Sequence, residues 1–189
     1  MDRPIDSTSE GDPRRFRPLD DLVRALGAVR SSRDHGRLDH IVRRSEGGVR
    51  EVLDRAQLLP ERGLPGDAWE RRLPLAPEAQ LAVMQTPIAE LIAGGQPLSL
   101  FGDNLFVDLD LSAASLPIGA RIRIGTAMLE VTPKPHNGCK KFRARFGLDA
   151  LTFVSRPDLR PLNLRGIYLR VIEAGEAACG SAASVIARP

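Results

Sequence analysis

The chain is poor in residues that staple, stack or anchor. Two cysteines in 189 residues cannot build a disulfide framework. Cys139 and Cys179 stand far apart in unlike surroundings, a usage that fits a reducing cytoplasm. Aromatic residues make up 4% of the sequence, too few for the stacking platforms that bind single-stranded nucleic acid. No apolar run is long enough to span a bilayer, and Met1-Asp2-Arg3-Pro4 lacks the apolar core of a signal peptide. A soluble, cytoplasmic protein with no membrane partner is the expectation. Walker and Rossmann glycine patterns are missing, so Gly47-Gly48 and Gly94-Gly95 read as turns. Lysine is the scarcest charge. Of 27 basic residues only Lys134, Lys140 and Lys141 are lysines.

What is present points to one domain with an N-terminal extension. A hydrophobic fraction of 42% suffices for a sizeable core. The net charge is +3, and the arginines alternate with acids, as at Arg50-Glu51 and Glu70-Arg71-Arg72. That spreading describes a solvated surface and not a nucleic-acid footprint. The three lysines break the pattern, because all of them flank His136 and Cys139.

Residues 1–18 are polar and proline-punctuated (Pro4, Pro13, Pro18) and read as a flexible N-terminal arm, leaving 19–189 as the domain. Leu22, Val23, Leu26 and Val29 recur at helical spacing, with Asp20 or Asp21 able to cap the start. Leu38–Arg43 reads as a strand and Val49–Ala56 as a short helix. The stretch from Leu59 to Pro77, rich in Pro and Gly, is a loop in which Trp69 serves as a packing anchor. Gln80–Gln85 predicts a strand and Pro87–Ala93 a short helix ended by Gly94. Across Ala120–Val131, Ile122 and Ile124, then Leu129 and Val131, alternate about Gly125-Thr126 as a hairpin with one buried face. Lys140–Phe146 and Asp149–Val154 read as helices broken at Gly147. Ile167–Ile172 is a strand, and Ser184–Ala187 can pair back after Gly175. Asp108 and Asp110 alternate on one face that reads as solvent-facing. Proline-broken strands with short inserted helices and no βαβ rhythm predict a mainly β, antiparallel barrel (α+β).

Cys139 is the leading candidate for chemistry. A thiolate is the nucleophile and the soft-metal ligand, and nearby cations or a helix N-terminus favour it. Gly138 lets the backbone approach a ligand closely. His136, three residues earlier, can face the same ligand across a turn. His-x-x-Cys is only half a zinc site, and neither Cys179 nor His35 nor His40 supplies the rest. A Cys-His hydrolase would need an oxyanion hole that no motif identifies.

Several segments, in order, resemble the MOSC domain, named for the C-terminal part of molybdenum cofactor sulfurases. They are Gly63-Leu64-Pro65-Gly66-Asp67, Gln80–Met84, Gly102-Asp103-Asn104-Leu105, Leu116–Thr132, Cys139-Lys140-Lys141-Phe142 and Arg165–Val171. The resemblance spans 38–186 and implies a MOSC-like barrel with a catalytic centre at Cys139 and His136. It implies a molybdenum-pterin cofactor, with Cys139 as metal ligand and Lys140, Lys141, Asn104, Arg143, Arg145 and Asn137 as cofactor-binding residues. Arg143 and Arg145 lie about 200° apart on an ideal helix, so both cannot face one pocket. The implied activity is an oxidoreductase acting on a small, N-hydroxylated molecule with an electron-transfer partner. The alternatives are a sulfur carrier holding a persulfide on Cys139 and loaded by a cysteine desulfurase, or a cofactor-free small-molecule lyase or binding barrel. Pyridoxal phosphate binding is a further family association. The sequence departs from the family where Gly66-Asp67 continues as Ala68-Trp69, where Gly138 replaces the proline before the cysteine, and at Gly180-Ser181.

Overall fold

The computed structural model describes residues 5–189; residues 1–4, with Pro4, lie outside it. Seven strands close into a barrel in the spatial order β1 (His35–Arg44), β5 (Leu105–Val107), β4 (Leu81–Gln85), β8 (Ile167–Glu173), β7 (Ala127–Val131), β6 (Arg121–Ile124) and β10 (Ala182–Ala187). Strand β10 pairs back onto β1 through His35↔Ser184 and seals the edge. Closure removes the unpaired edges that an open sheet would present. The expected antiparallel barrel needs one correction: β4 and β5 run parallel, Val83 opposite Leu105, so the barrel is mixed. A parallel neighbour needs a crossover, and α2 (Thr86–Ala93) with the turn after it supplies one.

The predicted hairpin forms as β6 and β7, with Ile122 opposite Leu129. Ile122, Ile124, Leu129 and Val131 join Leu38, Ile41, Leu81, Val83 and Leu169 in the barrel interior. Every residue of β4 is buried, because helices cover its outer face. A second cluster lies there, where α1 (Leu19–Leu26), α2 and α3 (Lys140–Ser155) bring Leu22, Ile88, Ile92, Phe142 and Phe146 onto Met84 and Phe106. Phe101 and Phe146 stack within it at 4.0 Å. Trp69 is buried as a packing anchor and donates from Nε1 to the Ala76 carbonyl at 2.9 Å. Gly147, at φ 88°, breaks α3 where expected.

Four local expectations fail. Residues 49–56 are not helical but form β2 (Arg50–Leu53) and β3 (Arg55–Leu58), because β1 and β9 (Gly175–Ala178) offer them edges. The C-terminal strand pairs with β6 and β1 and not with β8. Pro18, not an aspartate, precedes α1, and Asp20 and Asp21 sit in its first turn. The N-terminal arm is not loose over residues 5–18. Arg50 N donates to Ile5 O at 2.8 Å, Gly11 N to Ala144 O at 3.2 Å, and Asp12 N to Gln96 Oε1 at 2.7 Å. No helix among the described residues is long and apolar enough to cross a membrane.

Candidate functional site

One end of the barrel gathers the chain's chemistry. There β1 ends at Arg44, β2 begins at Arg50, β8 is preceded by Arg165, and the segment after β7 runs through His136 to Cys139 at the start of α3. These residues and Arg145, Lys141 and Tyr168 line a cavity of about 480 Å³. Cys139 is exposed and caps α3 through its backbone alone, its carbonyl accepting from Arg143 N at 3.0 Å. The thiol is left free for other work.

Behind the cavity wall lie two sealed carboxylates, each committed to one arginine. Asp67 accepts from Arg44 Nε at 3.0 Å and Nη2 at 2.5 Å, and Asn104 Nδ2 adds a third bond at 3.0 Å. Burial works to raise the Asp67 carboxyl, but Arg44 outweighs it and holds the group below the usual carboxylate range. Asp103, fully buried, accepts two bonds from Arg165 Nη1 at 3.0 and 2.8 Å. Arg165 Cζ also lies 5.1 Å from the centre of the Phe142 ring, a cation–π distance.

Among the described residues, Arg50 and Arg145 have no such partner. Arg145 is 4% exposed, and each of its three guanidinium nitrogens donates to a main-chain carbonyl, Nε to Ser9, Nη1 to Phe101 and Nη2 to Ser7, at 3.3, 3.3 and 3.1 Å. Arg50 makes one side-chain bond, from Nη1 to Ser99 O at 3.5 Å. In this orientation its guanidinium lies against Gly102, where a Cβ would stand 1.8 Å from Arg50 Nη1. Burial, then repulsion from Arg145 and Arg44, pushes Arg50 down to about 10. A buried and a half-buried guanidinium without a bonded carboxylate among the described residues form a positive field that an anion would relieve.

His136 closes the inner wall. Its ring packs 4.4 Å from Tyr168, and Nδ1 stands 3.5 Å from Asp103 with no hydrogen bond. Burial first, then Arg165, pushes its pKa down to about 3, and the opposing charge of Asp103 does not restore it. The imidazole is therefore neutral near pH 7, and its approach to Asp103 is a contact and not an ion pair.

The MOSC domain family model matches residues 65–184, well over half of the chain. This chain belongs to the MOSC domain family. Solved structures agree in fold. The YuaD protein of Bacillus subtilis superposes with a TM-score of 0.61 at 17% identity, covering 82% of this chain and 97% of that one. YiiM from Escherichia coli gives 0.55 at 20% identity, over 81% and 71%. No curated protein sequence matches the chain.

Of the residues expected at this MOSC site, Cys139, His136, Lys141 and Arg145 meet in the cavity. The others need correction. Asn104 is fully buried and does not line the cavity; it is hydrogen-bonded to Arg44 and Ala82, which do, and to Asp67 behind them. Asn137 lines a separate cavity on the far side of His136. Lys140 and Arg143 point to solvent, as helical spacing requires once Arg145 faces inward. Lys134 pairs with Glu78 at 3.5 Å. Asp108 and Asp110 lie beyond β5 and accept from Ser31 Oγ and Ser112 N, at 2.6 and 2.9 Å, so they brace loops. Cys179 donates to Leu53 O at 3.4 Å and does not line the cavity.

Sequence reasoning missed Arg44, Arg50, Arg165, Tyr168 and the Asp103 carboxylate. Arg165 and Asp103 sat inside the motifs Arg165-Gly166 and Gly102-Asp103-Asn104, which could have flagged them. Arg44 and Arg50 carried no such signal, because the sequence surrounds them with ordinary surface arginines.

Proposed function

We propose that this chain holds a molybdenum-pterin cofactor at the open end of its barrel, with Cys139 Sγ as the protein's ligand to the metal, and acts as an oxidoreductase on a small molecule. The observation that carries the reading is the pair of Arg145, buried, and Arg50, half-buried, neither bonded to a carboxylate among the described residues, beside a free thiol. The residues present fit such a group. Nε of Arg50 and Nε of Arg165 are buried donors without partners among the described residues, and both residues line the cavity. Guanidiniums suit phosphate and other oxyanions, and a thiolate suits a soft metal. When bound, the cofactor would supply the redox chemistry.

The chain's own contribution is placement and field. Arg50 and Arg145 offset the negative charge of the occupant. Asp67 and Asp103 hold Arg44 and Arg165 in fixed orientation, so the cationic wall needs no rearrangement when an anion arrives. Neutral His136 shapes the wall and offers a hydrogen-bonding ring without adding charge beside the thiol. Gly138 sits against Leu151 and Val154, where a Cβ would stand 2.5 Å from Leu151 Cδ1, so the turn that presents Cys139 is pressed onto α3.

Protein expressed in a host that makes the cofactor tests the proposal by elemental analysis. About one molybdenum per chain is expected, lost in Cys139→Ser while the fold and phosphate binding persist. Folded wild-type protein that stays free of molybdenum, even after reconstitution, overturns it.

The exposure of Cys139 favours one second reading, a sulfur carrier. Incubation with a cysteine desulfurase and free cysteine would then add about 32 Da at Cys139 as a persulfide. An unchanged thiol in that experiment removes this reading.

A further inference from the structure

Ser7, from the N-terminal segment, lines the cavity together with Arg145. We infer that residues 5–11 belong to the binding site as a fixed strap, and that Ser7 is a ligand-positioning residue whose hydroxyl meets the phosphate monoester end of the occupant. This deepens the anion-binding reading above and rests on it.

The strap is anchored at both ends. At one, Ile5 O accepts from Arg50 N at 2.8 Å; at the other, Gly11 N donates to Ala144 O at 3.2 Å. Gly11 has no room for a side chain, since a Cβ would lie 1.8 Å from Arg145 O. Between the anchors the backbone folds on itself before any ligand is present. Asp6 Oδ1 accepts from Thr8 N at 2.7 Å and Ser9 N at 3.0 Å, and Asp6 N donates to Ser9 Oγ at 2.9 Å. Such a turn is preorganised.

Two carbonyls of that turn, Ser7 O and Ser9 O, accept from Arg145 Nη2 and Nε. The same guanidinium that faces the cavity therefore pins the strap over it. Ser7 fills the remaining gap against the Gly48 turn: a Cβ on Gly48, at φ 82°, would stand 2.5 Å from Ser7 Oγ. Ser7 and Gly48 both line the cavity, and Ser7 Oγ has no hydrogen-bond partner among the described residues. A hydroxyl held rigid on a strap, beside Arg145 and Arg50, offers a phosphate oxygen a neutral donor next to two charged ones.

The full chain tests this with inorganic phosphate as the probe. Ser7→Ala, which removes no hydrogen bond of the free protein, should weaken phosphate binding by about tenfold with Tm unchanged. Ser7→Thr, which keeps the hydroxyl, should restore it. In the wild type, phosphate should slow hydrogen exchange at the amides of Thr8, Ser9 and Gly11. Wild-type affinity in Ser7→Ala, or faster exchange at those amides on adding phosphate, overturns the strap while leaving the cavity reading intact. Wild-type protein that binds no phosphate removes both.

Discussion

The middle of the barrel and its arginine-lined end are built on opposite terms. The middle is apolar and complete: Leu38, Ile41, Leu81, Leu105, Leu129 and Leu169 are fully buried, and none of them carries a group that needs a partner. The end is buried too, but it is chemically unfinished. Of the five buried side-chain polar atoms without a partner among the described residues, four sit on residues lining the cavity: Ser45 Oγ, Arg50 Nε, His136 Nδ1 and Arg165 Nε. Folding alone would select against such atoms, each costing about 1–3 kcal/mol when left unsatisfied. Their concentration at one end is what the proposed binding of an anion there would account for.

The comparison breaks most sharply at the boundary between the two regions. Arg165→Met should cost about 3–5 kcal/mol, because Asp103 would be left fully buried with no cation to hold. Urea unfolding measures it. A loss below 1 kcal/mol would show that water already reaches Asp103. In the barrel middle, Leu129→Ala should cost about 2–5 kcal/mol by opening a void, yet leave phosphate affinity unchanged in the fraction that is folded. A large fall in affinity would mean that the two regions are coupled and not merely adjacent.

A graded effect, comparable in total over its pH window, belongs to His136. Its folded pKa is about 3 against an ordinary 6.5, so between those values the unfolded chain binds a proton that the folded chain does not. Stability should therefore fall as pH drops from 6.5 toward 3, by about 1.4 kcal/mol per pH unit from this group. In His136→Phe that part of the slope should vanish. Asp67, held below its ordinary value, adds its own loss at low pH in both proteins, so the difference between the two curves reports His136. Parallel curves would mean that the ring is hydrated.

How much of this was legible follows the same division. The barrel middle announced itself by period: Ile122, Ile124, Leu129 and Val131 alternate, and their burial followed. Strand β2 did not, because Val52 is 62% exposed and the segment is a strand only by pairing with β1. Nor did the parallel contact of β4 with β5, since strand direction comes from the crossover and not from either strand's residues. At the site, the Cys139 neighbourhood was readable because its lysines and glycine are contiguous. Arg44, Arg50 and Ser7 come from segments distant from Cys139 in sequence, and only barrel closure and the strap bring them together. Lys140 and Arg143 misled for the converse reason. Nearness in sequence to a thiol on a helix says nothing about which face a side chain takes.

The smallest expected change in stability is also the one that most sharpens the comparison. Arg50 is a partly desolvated cation whose charge is opposed by Arg145 and Arg44 and whose only side-chain bond among the described residues is a 3.5 Å contact with Ser99 O. Arg50→Met keeps much of the apolar stem in place and removes the charge. The free protein should then be as stable as the wild type, or more stable by up to about 1 kcal/mol, since a poorly compensated buried charge is replaced by a side chain that needs no partner. Phosphate should lose its stabilising effect on the same variant, because mass action on the folded state requires an anion site that still binds. Paired unfolding curves with and without phosphate read both quantities at once. A variant that is markedly destabilised while phosphate still raises its Tm would place Arg50 with the barrel's supporting residues, and the anion would then be held by Arg145 and Lys141 without it.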